Sequence, residues 1–158
     1  MDTNTSVIRE LDSKSIPYQV FIHPGQLKSL EQAAYERNQQ PEQVVRSIVF
    51  RISKQQYIMV LVAGPVQIAW PALRKYLGLS RVSMADQDEV LALTGYRRGA
   101  VSPLGLPTPI RILVDKSVLD QDEISIGSGQ QGVAVILKQA DLIKALDEPE
   151  LVDLLNSQ

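Results

Sequence analysis

The sequence predicts one α+β domain over residues 1–158, built on a mixed, partly curled β-sheet flanked by helices. Segments with helical apolar spacing and short β-branched segments are interspersed without strict strand–helix–strand alternation. Several predicted strands are separated only by short polar or glycine-rich turns, which favours hairpins over a doubly wound parallel sheet. The chain has 158 residues, 44% of them hydrophobic, and shows no repeat, low-complexity segment or linker. These properties are typical of one globular domain with its own core.

The first third of the chain predicts two helices with one strand between them. Apolar residues recur at helical spacing over Ser6–Ser13 and again over Leu27–Asn38. Between them, Tyr18–Ile22 is β-branched and aromatic and precedes a Pro-Gly pair, which predicts a short strand. Pro41 then opens a turn or a short helix.

The middle of the chain predicts an antiparallel hairpin followed by a helix. Val44–Ile52 and Tyr57–Ala63 are apolar and are separated by a short polar turn. Pro71–Leu77 has helical spacing, with its proline suited to the first turn and Gly78 suited to the position after the last turn.

The last part of the chain combines a capped helix, a long loop and further strands. Asp86–Leu93 predicts a helix, because Asp86 and Glu89 form a capping-box pattern and Gly95 follows the last turn. A glycine- and proline-rich loop then runs to Pro109. The remaining segments are predicted strands at Ile110–Val114, Ile124–Ile126 and Val133–Leu137, a helix at Gln139–Leu146, and a weakly amphipathic tail at Pro149–Gln158 that either docks or frays.

The composition excludes several classes of function. The chain carries 16 Lys and Arg against 18 Asp and Glu, which argues against a broad basic surface for duplex nucleic acid but leaves room for a local basic pocket. Cysteine is absent and His23 is the single histidine, so disulfides, thiolate nucleophiles and Cys- or multi-His metal sites are excluded. Residues 1–10 are polar and no apolar run approaches the ~20 residues that span a bilayer, so we expect a cytoplasmic protein.

The segment Gly95–Gly105 is the strongest candidate for a ligand site. It contains three glycines, a proline, two arginines and a serine within eleven residues. Glycine lets a backbone approach a ligand closely and direct N–H groups at it, and adjacent arginines suit phosphate. An ordinary surface loop with solvated charges is the alternative, although loops longer than about 12 residues are often functional.

Three further features have both a functional and a structural interpretation. Arg46 lies on an otherwise apolar predicted strand, where a charge faces either a pocket or the solvated side of the sheet. His23 follows a strand, and a structural histidine is favoured over a catalytic one. Gly127-x-Gly129-x-x-Gly132 matches the dinucleotide-binding string, but a strand-like segment follows it instead of a helix. We therefore interpret it as a tight turn that still offers backbone N–H groups to a ligand.

Taken together and in this order, these segments resemble the YbaK/ProX family of free-standing aminoacyl-tRNA deacylases, which is related to the editing insertion domain of bacterial prolyl-tRNA synthetases. The resemblance runs from about Tyr18 to Leu146. The segments that carry it are Leu93–Gly105, with a Gly-x-x-x-Pro loop at Gly99–Pro103, the strand Val44–Phe50, Val114-Asp115, and Gly127-Ser128-Gly129 leading to Ala140-Asp141-Leu142.

The resemblance implies a partly curled mixed sheet and hydrolysis of the ester that joins a mischarged amino acid to the 3′ end of tRNA. It also implies that the Gly-x-x-x-Pro loop positions the terminal adenosine and the aminoacyl group. The family usually has a lysine on the strand where this chain has Arg46, and basic residues where it has Gln130-Gln131. Arginine stays protonated and cannot act as a general base, but it can bind a phosphate or polarise a carbonyl.

The residues expected to form the site fall into two groups. The expected catalytic residues are Arg46, Gly99 and Ser102, and the expected substrate-binding residues are His23, Gly95, Ala100, Val101, Pro103, Gly105, Gly127, Ser128 and Gly129. The expected partner is the 3′ end of aminoacyl-tRNA, with an aminoacyl-tRNA synthetase as a further candidate, and no cofactor, metal or membrane is expected. Two alternatives stay open, a non-catalytic module that binds an aminoacyl-adenosine or a tRNA end, and a structural domain that binds a partner through Leu151–Leu155.

Overall fold

The computed structural model describes residues 3–155, and its strands form two sheets. The helices are α1 (Ser6–Ser13), α2 (Leu30–Glu36), α3 (Trp70–Leu77), α4 (Gln87–Thr94) and α5 (Gln139–Leu146), with 3-10 turns at Pro41–Gln43 and Lys116–Asp120. The strands are β1 (Gln19–Ile22), β2 (Val45–Ser53), β3 (Gln56–Ala63), β4 (Ser83–Met84), β5 (Arg111–Asp115), β6 (Glu123–Gly127), β7 (Val133–Lys138) and β8 (Glu150–Val152). No helix among residues 3–155 has the length and apolar content needed to cross a membrane.

The larger sheet is mixed and is built around the predicted hairpin. Its strand order is β4-β2-β3-β5-β8. The hairpin of β2 and β3 is antiparallel, with Val45 opposite Ala63 and the left-handed residue Gln55 in the turn. Strand β5 then lies parallel to β3, and β8 lies parallel to β5. The predicted antiparallel hairpin and the predicted mixed sheet are therefore confirmed.

The smaller sheet has the order β1-β7-β6 and is antiparallel throughout. A single parallel bridge between Val44 and Ser125 connects it to the start of β2. The extended segments therefore separate into two sheets that meet at β2 and β6. At this junction one wall of a cavity meets the other.

Two apolar clusters lie on the opposite faces of the larger sheet. Successive side chains of a strand point to opposite faces, so Met59 and Leu61 join one cluster, whereas Ile58, Val60 and Val62 join the other. Helices α1 and α5 and the smaller sheet cover the first face, and α3 and the C-terminal segment cover the second. Strand β3 is buried on both faces, which explains its continuous apolar sequence.

Local capping signals set the ends of two helices as predicted. Asp86 Oδ1 accepts a hydrogen bond from the Glu89 amide at 2.8 Å, and Glu89 Oε1 accepts one from the Asp86 amide at 3.0 Å, which completes the capping box of α4. Gly95 follows α4 with φ 79°, and Gly78 follows α3 with φ 69°. Both glycines adopt the left-handed conformation that terminates a helix.

The C-terminal tail docks as a strand, which is one of the two outcomes expected for it. Val152 is 3% exposed and Leu154 is 1% exposed, whereas Leu151 is 53% exposed, so the burial follows the two-residue period of a strand. Asp115 Oδ1 accepts a hydrogen bond from the Leu154 amide at 2.7 Å. Val152 and Leu154 are therefore buried inside the fold, whereas Leu151 stays on the surface. The last predicted tail residues, 156–158, lie outside the described residues.

Shortening Leu154 should weaken the fold far more than shortening Leu151. We expect Leu154→Ala to lower the free energy of unfolding by about 2–5 kcal/mol, because it removes buried methyl groups from the second cluster. Leu151→Ala, the exposed control, should change it by less than about 0.5 kcal/mol. Urea unfolding of both variants checks this, and equal losses would show that the tail is not docked in solution.

Candidate functional site

A cavity of about 740 Å³ opens where the two sheets meet. One wall is β2, and the opposite wall is formed by the end of β6 and the start of β7. Helix α2, the N-terminus of α4 and the loop after α4 close the sides. The cavity brings together Arg46 of β2, Gly99 and Val101 of the loop, and Gly127 of β6. Four of the residues singled out from the sequence therefore lie around one space.

The loop after α4 and the glycine turn after β6 touch each other through their main chains. A Cβ atom on Gly127 would lie 2.1 Å from the Val101 carbonyl oxygen and 3.0 Å from that of Ala100. The Gly129 amide also donates to the Ala100 carbonyl at 3.0 Å. Gly127 is required here for close approach, because any side chain would push the two segments apart.

Two amides of this loop are free to serve a ligand. Gly99 has φ 86° and starts a turn in which the Ala100 amide donates to the Arg97 carbonyl at 2.9 Å. The amides of Gly99 and Val101 have no acceptor among residues 3–155, and both residues line the cavity. Unpaired main-chain N–H groups at a cavity wall are suited to an anion or to a developing oxyanion.

Five of the expected site residues in this loop do not line the cavity. Ala100 is one of them, because it is 1% exposed and its amide and carbonyl bind within the two turns. Ser102 is fully buried, and its Oγ accepts a hydrogen bond from the Leu104 amide at 3.3 Å, so the structure gives this side chain a role in the turn. Gly95 is the cap of α4, and Pro103 is buried. The Gly105 amide donates to Glu10 Oε1 at 2.7 Å, and Gly105 packs against Ser6. These residues shape the loop from behind instead of facing a ligand.

The turn after β6 is also held from behind. Ser128 is 1% exposed, and its Oγ donates to the Val133 carbonyl at 2.7 Å. Gly129 packs against Tyr96, whose hydroxyl donates to the Leu104 carbonyl at 2.6 Å. Neither Ser128 nor Gly129 lines the cavity. Since β7 follows this turn directly, it has no helix N-terminus of the kind that dinucleotide binding requires.

Arg46 lies half-buried in the cavity wall, where two of its nitrogens are already engaged. Its Nε donates to the Gly64 carbonyl at 2.9 Å, and its Nη2 donates to the Val66 carbonyl. Burial lowers the pKa of this guanidinium, but it remains a cation. Its Nη1 has no partner among the described residues. The geometry supports the pocket-facing interpretation of this charge, because the same side chain both holds the 64–66 loop and lines the cavity.

Arg37, which the sequence analysis did not single out, lines the same cavity, as does Arg98 of the loop after α4. Arg37 Nε donates to His23 Nε2 at 3.0 Å, and Arg37 Nη1 donates to Ser125 Oγ at 2.8 Å. Burial is the largest cause of the lowering of the Arg37 pKa to about 10, and the neighbouring Glu36 opposes it. At neutral pH the guanidinium is therefore still charged. In sequence it appears as an ordinary charge at the end of a helix, and no local signal marks it.

His23, which was expected to bind substrate, belongs to the network that holds Arg37 and does not line the cavity. Arginine can only donate hydrogen bonds, so Nε2 of His23 accepts and its Nδ1 proton points to Glu36 Oε1, 2.7 Å away. The His23 side chain has no solvent exposure. Hydrogen bonds to His23, and to a lesser degree to Gln32, lower the pKa of Glu36. The structural interpretation of this histidine is therefore the one that the geometry supports.

The network continues away from the cavity and ties three elements together. Ser125 Oγ of β6 donates to Gln39 Oε1 at 2.8 Å, and Gln39 Nε2 donates to Glu123 Oε1 at 3.3 Å. Arg37 and Gln39 follow α2, while His23 follows β1. The Arg37 guanidinium is thus fixed by residues from well-separated parts of the chain, and its position is set before any ligand arrives.

The fold is an α+β domain with a cavity where its two sheets meet, and comparison with known proteins gives its family. A model of the aminoacyl-tRNA editing domain matches residues 23–145. This chain belongs to that family, so the resemblance drawn from the sequence is confirmed. A proline–tRNA ligase of Staphylococcus aureus strain Newman is 28% identical over 115 residues, which cover 73% of this chain and 20% of the ligase. The chain therefore spans about a fifth of the length of the curated relatives it matches.

Two solved structures share the fold over nearly the whole chain. The hypothetical protein APE2540 superposes with a TM-score of 0.86 and 20% identity, covering 96% of this chain and 99% of that one. A candidate trans-editing enzyme for prolyl-tRNA synthetase has a TM-score of 0.86 and 24% identity, covering 96% of both chains. At these identities the likeness establishes the architecture, and it confirms the predicted mixed α+β fold.

Adding a methyl group at Gly127 should disrupt the contact between the two loops. We expect Gly127→Ala to lower the free energy of unfolding by about 1–3 kcal/mol, because the new Cβ overlaps the Val101 carbonyl and the main chain must shift. Gly25→Ala is the matched control, since a Cβ added there would meet no atom within 4 Å and the backbone of Gly25 is not left-handed. Chemical denaturation measures both, and a Gly127→Ala protein as stable as the control would contradict the close approach.

Proposed function

We propose that this chain is a trans-editing hydrolase that removes the amino acid from mischarged aminoacyl-tRNA. The observation that carries the proposal is the cavity in which the free amides of Gly99 and Val101 lie with Arg46 and Gly127. Membership of the aminoacyl-tRNA editing domain family supports an editing role. The expected substrate is the 3′ aminoacyl end of tRNA, and the expected compartment is the cytoplasm.

The chemistry requires little more than positioning. An aminoacyl ester is already activated, so one water can attack its carbonyl carbon without a covalent enzyme intermediate. The new C–O bond forms first and moves an electron pair onto the carbonyl oxygen, which becomes negative. When that pair re-forms the carbonyl, the bond to the ribose oxygen breaks, and a proton from the water passes to that ribose oxygen. Orientation contributes up to about 7–11 kcal/mol to lowering such a barrier, and one oxyanion donor contributes about 2.7–4 kcal/mol.

Main-chain amides and cations have separate roles in this proposal. The amides of Gly99 and Val101 donate to the oxygen that becomes negative as the water attacks. Arg46 and Arg37 bind the acyl carbonyl or the terminal phosphate, because a guanidinium donates hydrogen bonds but cannot accept a proton from water. The neighbouring ribose hydroxyl of the substrate relays the proton, which is consistent with the absence of an evident base among the described residues of the cavity wall.

A non-catalytic binding module is the second candidate, and one observation favours it. Asp86 is the only carboxylate among the described residues that line the cavity, and its Oδ1 already accepts the Glu89 amide as a helix cap. Arg46, where the family usually has lysine, is also partly engaged with the 64–66 loop. Such a domain would hold an aminoacyl-adenosine or a tRNA end without hydrolysing it, with an aminoacyl-tRNA synthetase as a candidate partner.

A panel of mischarged substrates separates these two candidates. We expect the natural protein to release amino acid from at least one of alanyl-, cysteinyl-, seryl- and threonyl-tRNA, measured as loss of labelled aminoacyl-tRNA. Tight binding of a non-hydrolysable analogue without turnover would favour the binding module. If Arg46→Lys gained activity while the natural protein had none, the deacylase proposal would be discarded.

Removing the charge of Arg37 should impair substrate binding or turnover. We expect Arg37→Gln to lower kcat/KM by roughly 10- to 150-fold, which corresponds to losing one charge-assisted hydrogen bond of about 1.5–3 kcal/mol. Arg9→Gln is the control, because Arg9 is exposed on α1 and does not line the cavity. Steady-state kinetics are read together with thermal unfolding. An unchanged kcat/KM in a folded Arg37→Gln protein would show that Arg37 has a structural role at the end of α2 and does not bind the substrate.

A further inference from the structure

A second cavity, of about 820 Å³, lies beside the first and has a different chemical character. It is formed by the β2–β3 hairpin, the C-terminal half of α3, the segment before β4, and the first turn of α4. The residues that line this basic groove are Arg51, Ile52, Ser53, Lys54, Gln55, Tyr57, Arg74, Ser80, Arg81, Val82, Ser83 and Glu89. Four of them are cations and one is a carboxylate, although the whole chain has a net charge of −2.

The single carboxylate of the basic groove cannot neutralise its cations. Glu89 Oε2 already accepts hydrogen bonds from Arg51 Nη1 at 3.1 Å and from the Tyr57 hydroxyl at 2.6 Å, and its other oxygen caps α4. The remaining cations, Lys54, Arg74 and Arg81, form no ion pair among residues 3–155. The basic groove therefore concentrates unpaired positive charge in an acidic protein, which indicates an anionic ligand.

The basic groove adjoins the first cavity across β4 and the start of α4. Ser83 lines the groove and Met84, the next residue, lines the first cavity. On β2, Val49 lines the first cavity and Arg51 lines the groove, and two residues along a strand span about 7 Å. An extended ligand whose end occupies the first cavity would therefore reach the groove with its next units.

We propose that the basic groove binds the backbone phosphates of the RNA strand that leads to the aminoacyl end. Contacts from arginine, lysine and serine side chains to phosphate oxygens position nucleic acids without reading their sequence. The inference rests on the proposed function, because it takes the aminoacyl end to occupy the first cavity. It goes beyond that function by naming the surface that grips the rest of the RNA. It also explains how an acidic protein recognises a polyanion, since the cations are gathered where the strand passes.

The groove is tested by removing two of its unpaired cations. In Arg74→Gln/Arg81→Gln, affinity for uncharged tRNA at 0.1 M salt should fall roughly 25-fold, and the slope of log K against log salt should become shallower by about 0.7 per cation removed. Lys54→Gln/Arg81→Gln changes only exposed side chains and should give a similar loss of affinity. This second variant keeps the test valid even if Arg74→Gln, in helix α3, impairs folding. Arg9→Gln/Lys144→Gln removes two exposed charges elsewhere, and it should leave the affinity and the slope unchanged.

Two comparisons keep this inference separate from the proposed hydrolysis. On aminoacyl-tRNA the groove variants should have a raised KM with kcat nearly unchanged, whereas on aminoacyl-adenosine, which has no RNA strand, they should match the natural protein. If the natural protein hydrolysed no substrate but the groove variants still lost affinity for tRNA, the RNA-binding inference would be supported and only the deacylase proposal would be discarded. Equal tRNA affinity of the groove variants and the control variant would overturn the inference. The inference would also be overturned if the groove variants lost affinity for inorganic phosphate but kept their affinity for tRNA.

Discussion

The site depends on the main-chain contact between Gly127 and the loop at Ala100 and Val101. Because Gly127 has no side chain, the end of β6 lies directly against two carbonyl groups of that loop. The contact places the Gly99 and Val101 amides at one wall of the cavity, opposite the cation carried by β2. A rigid arrangement of donors is valuable in catalysis, because the donors need not reorganise when charge develops.

Arg46 and Arg37, two of the three arginines that line the cavity with Arg98, are held by different partners, and each is fixed before a ligand binds. Arg46 is held by the carbonyls of the 64–66 loop, so its conformation depends on the connection between β3 and α3. Arg37 is held by His23 and Ser125. A buried guanidinium is costly unless its N–H groups find acceptors, and these networks supply them. His23 therefore positions Arg37 but does not itself line the cavity.

The distribution of charge is compatible with the polyanionic substrate that we propose for this acidic chain. The described residues that line the two adjoining cavities include seven arginines and lysines but only two carboxylates, those of Asp86 and Glu89. Glu89 does not neutralise the groove, because it caps α4 and binds Arg51, and the other three groove cations form no ion pair among residues 3–155. Only a few phosphates need to be contacted under this arrangement, so a modest salt dependence is expected for the natural protein.

The sequence by itself determined the features that arise within a few residues. The capping box of Asp86 and Glu89, the left-handed glycines after two helices, the hairpin and α5 follow from local hydrogen bonding and side-chain periodicity, and the structure confirms them. The family resemblance could also be recognised from the sequence, because it depends on short motifs. Tertiary structure alone decided which of these motifs meet. Arg37 became part of the site because Ser125, 88 positions away, accepts its hydrogen bond, and the tail became a strand because β5 offered it an open edge. In the sequence Ser102 and His23 are candidate site residues, whereas in the fold both are buried and hold neighbouring groups in place. The difference arises because burial and the distance to a partner depend on packing between segments, which no local pattern encodes.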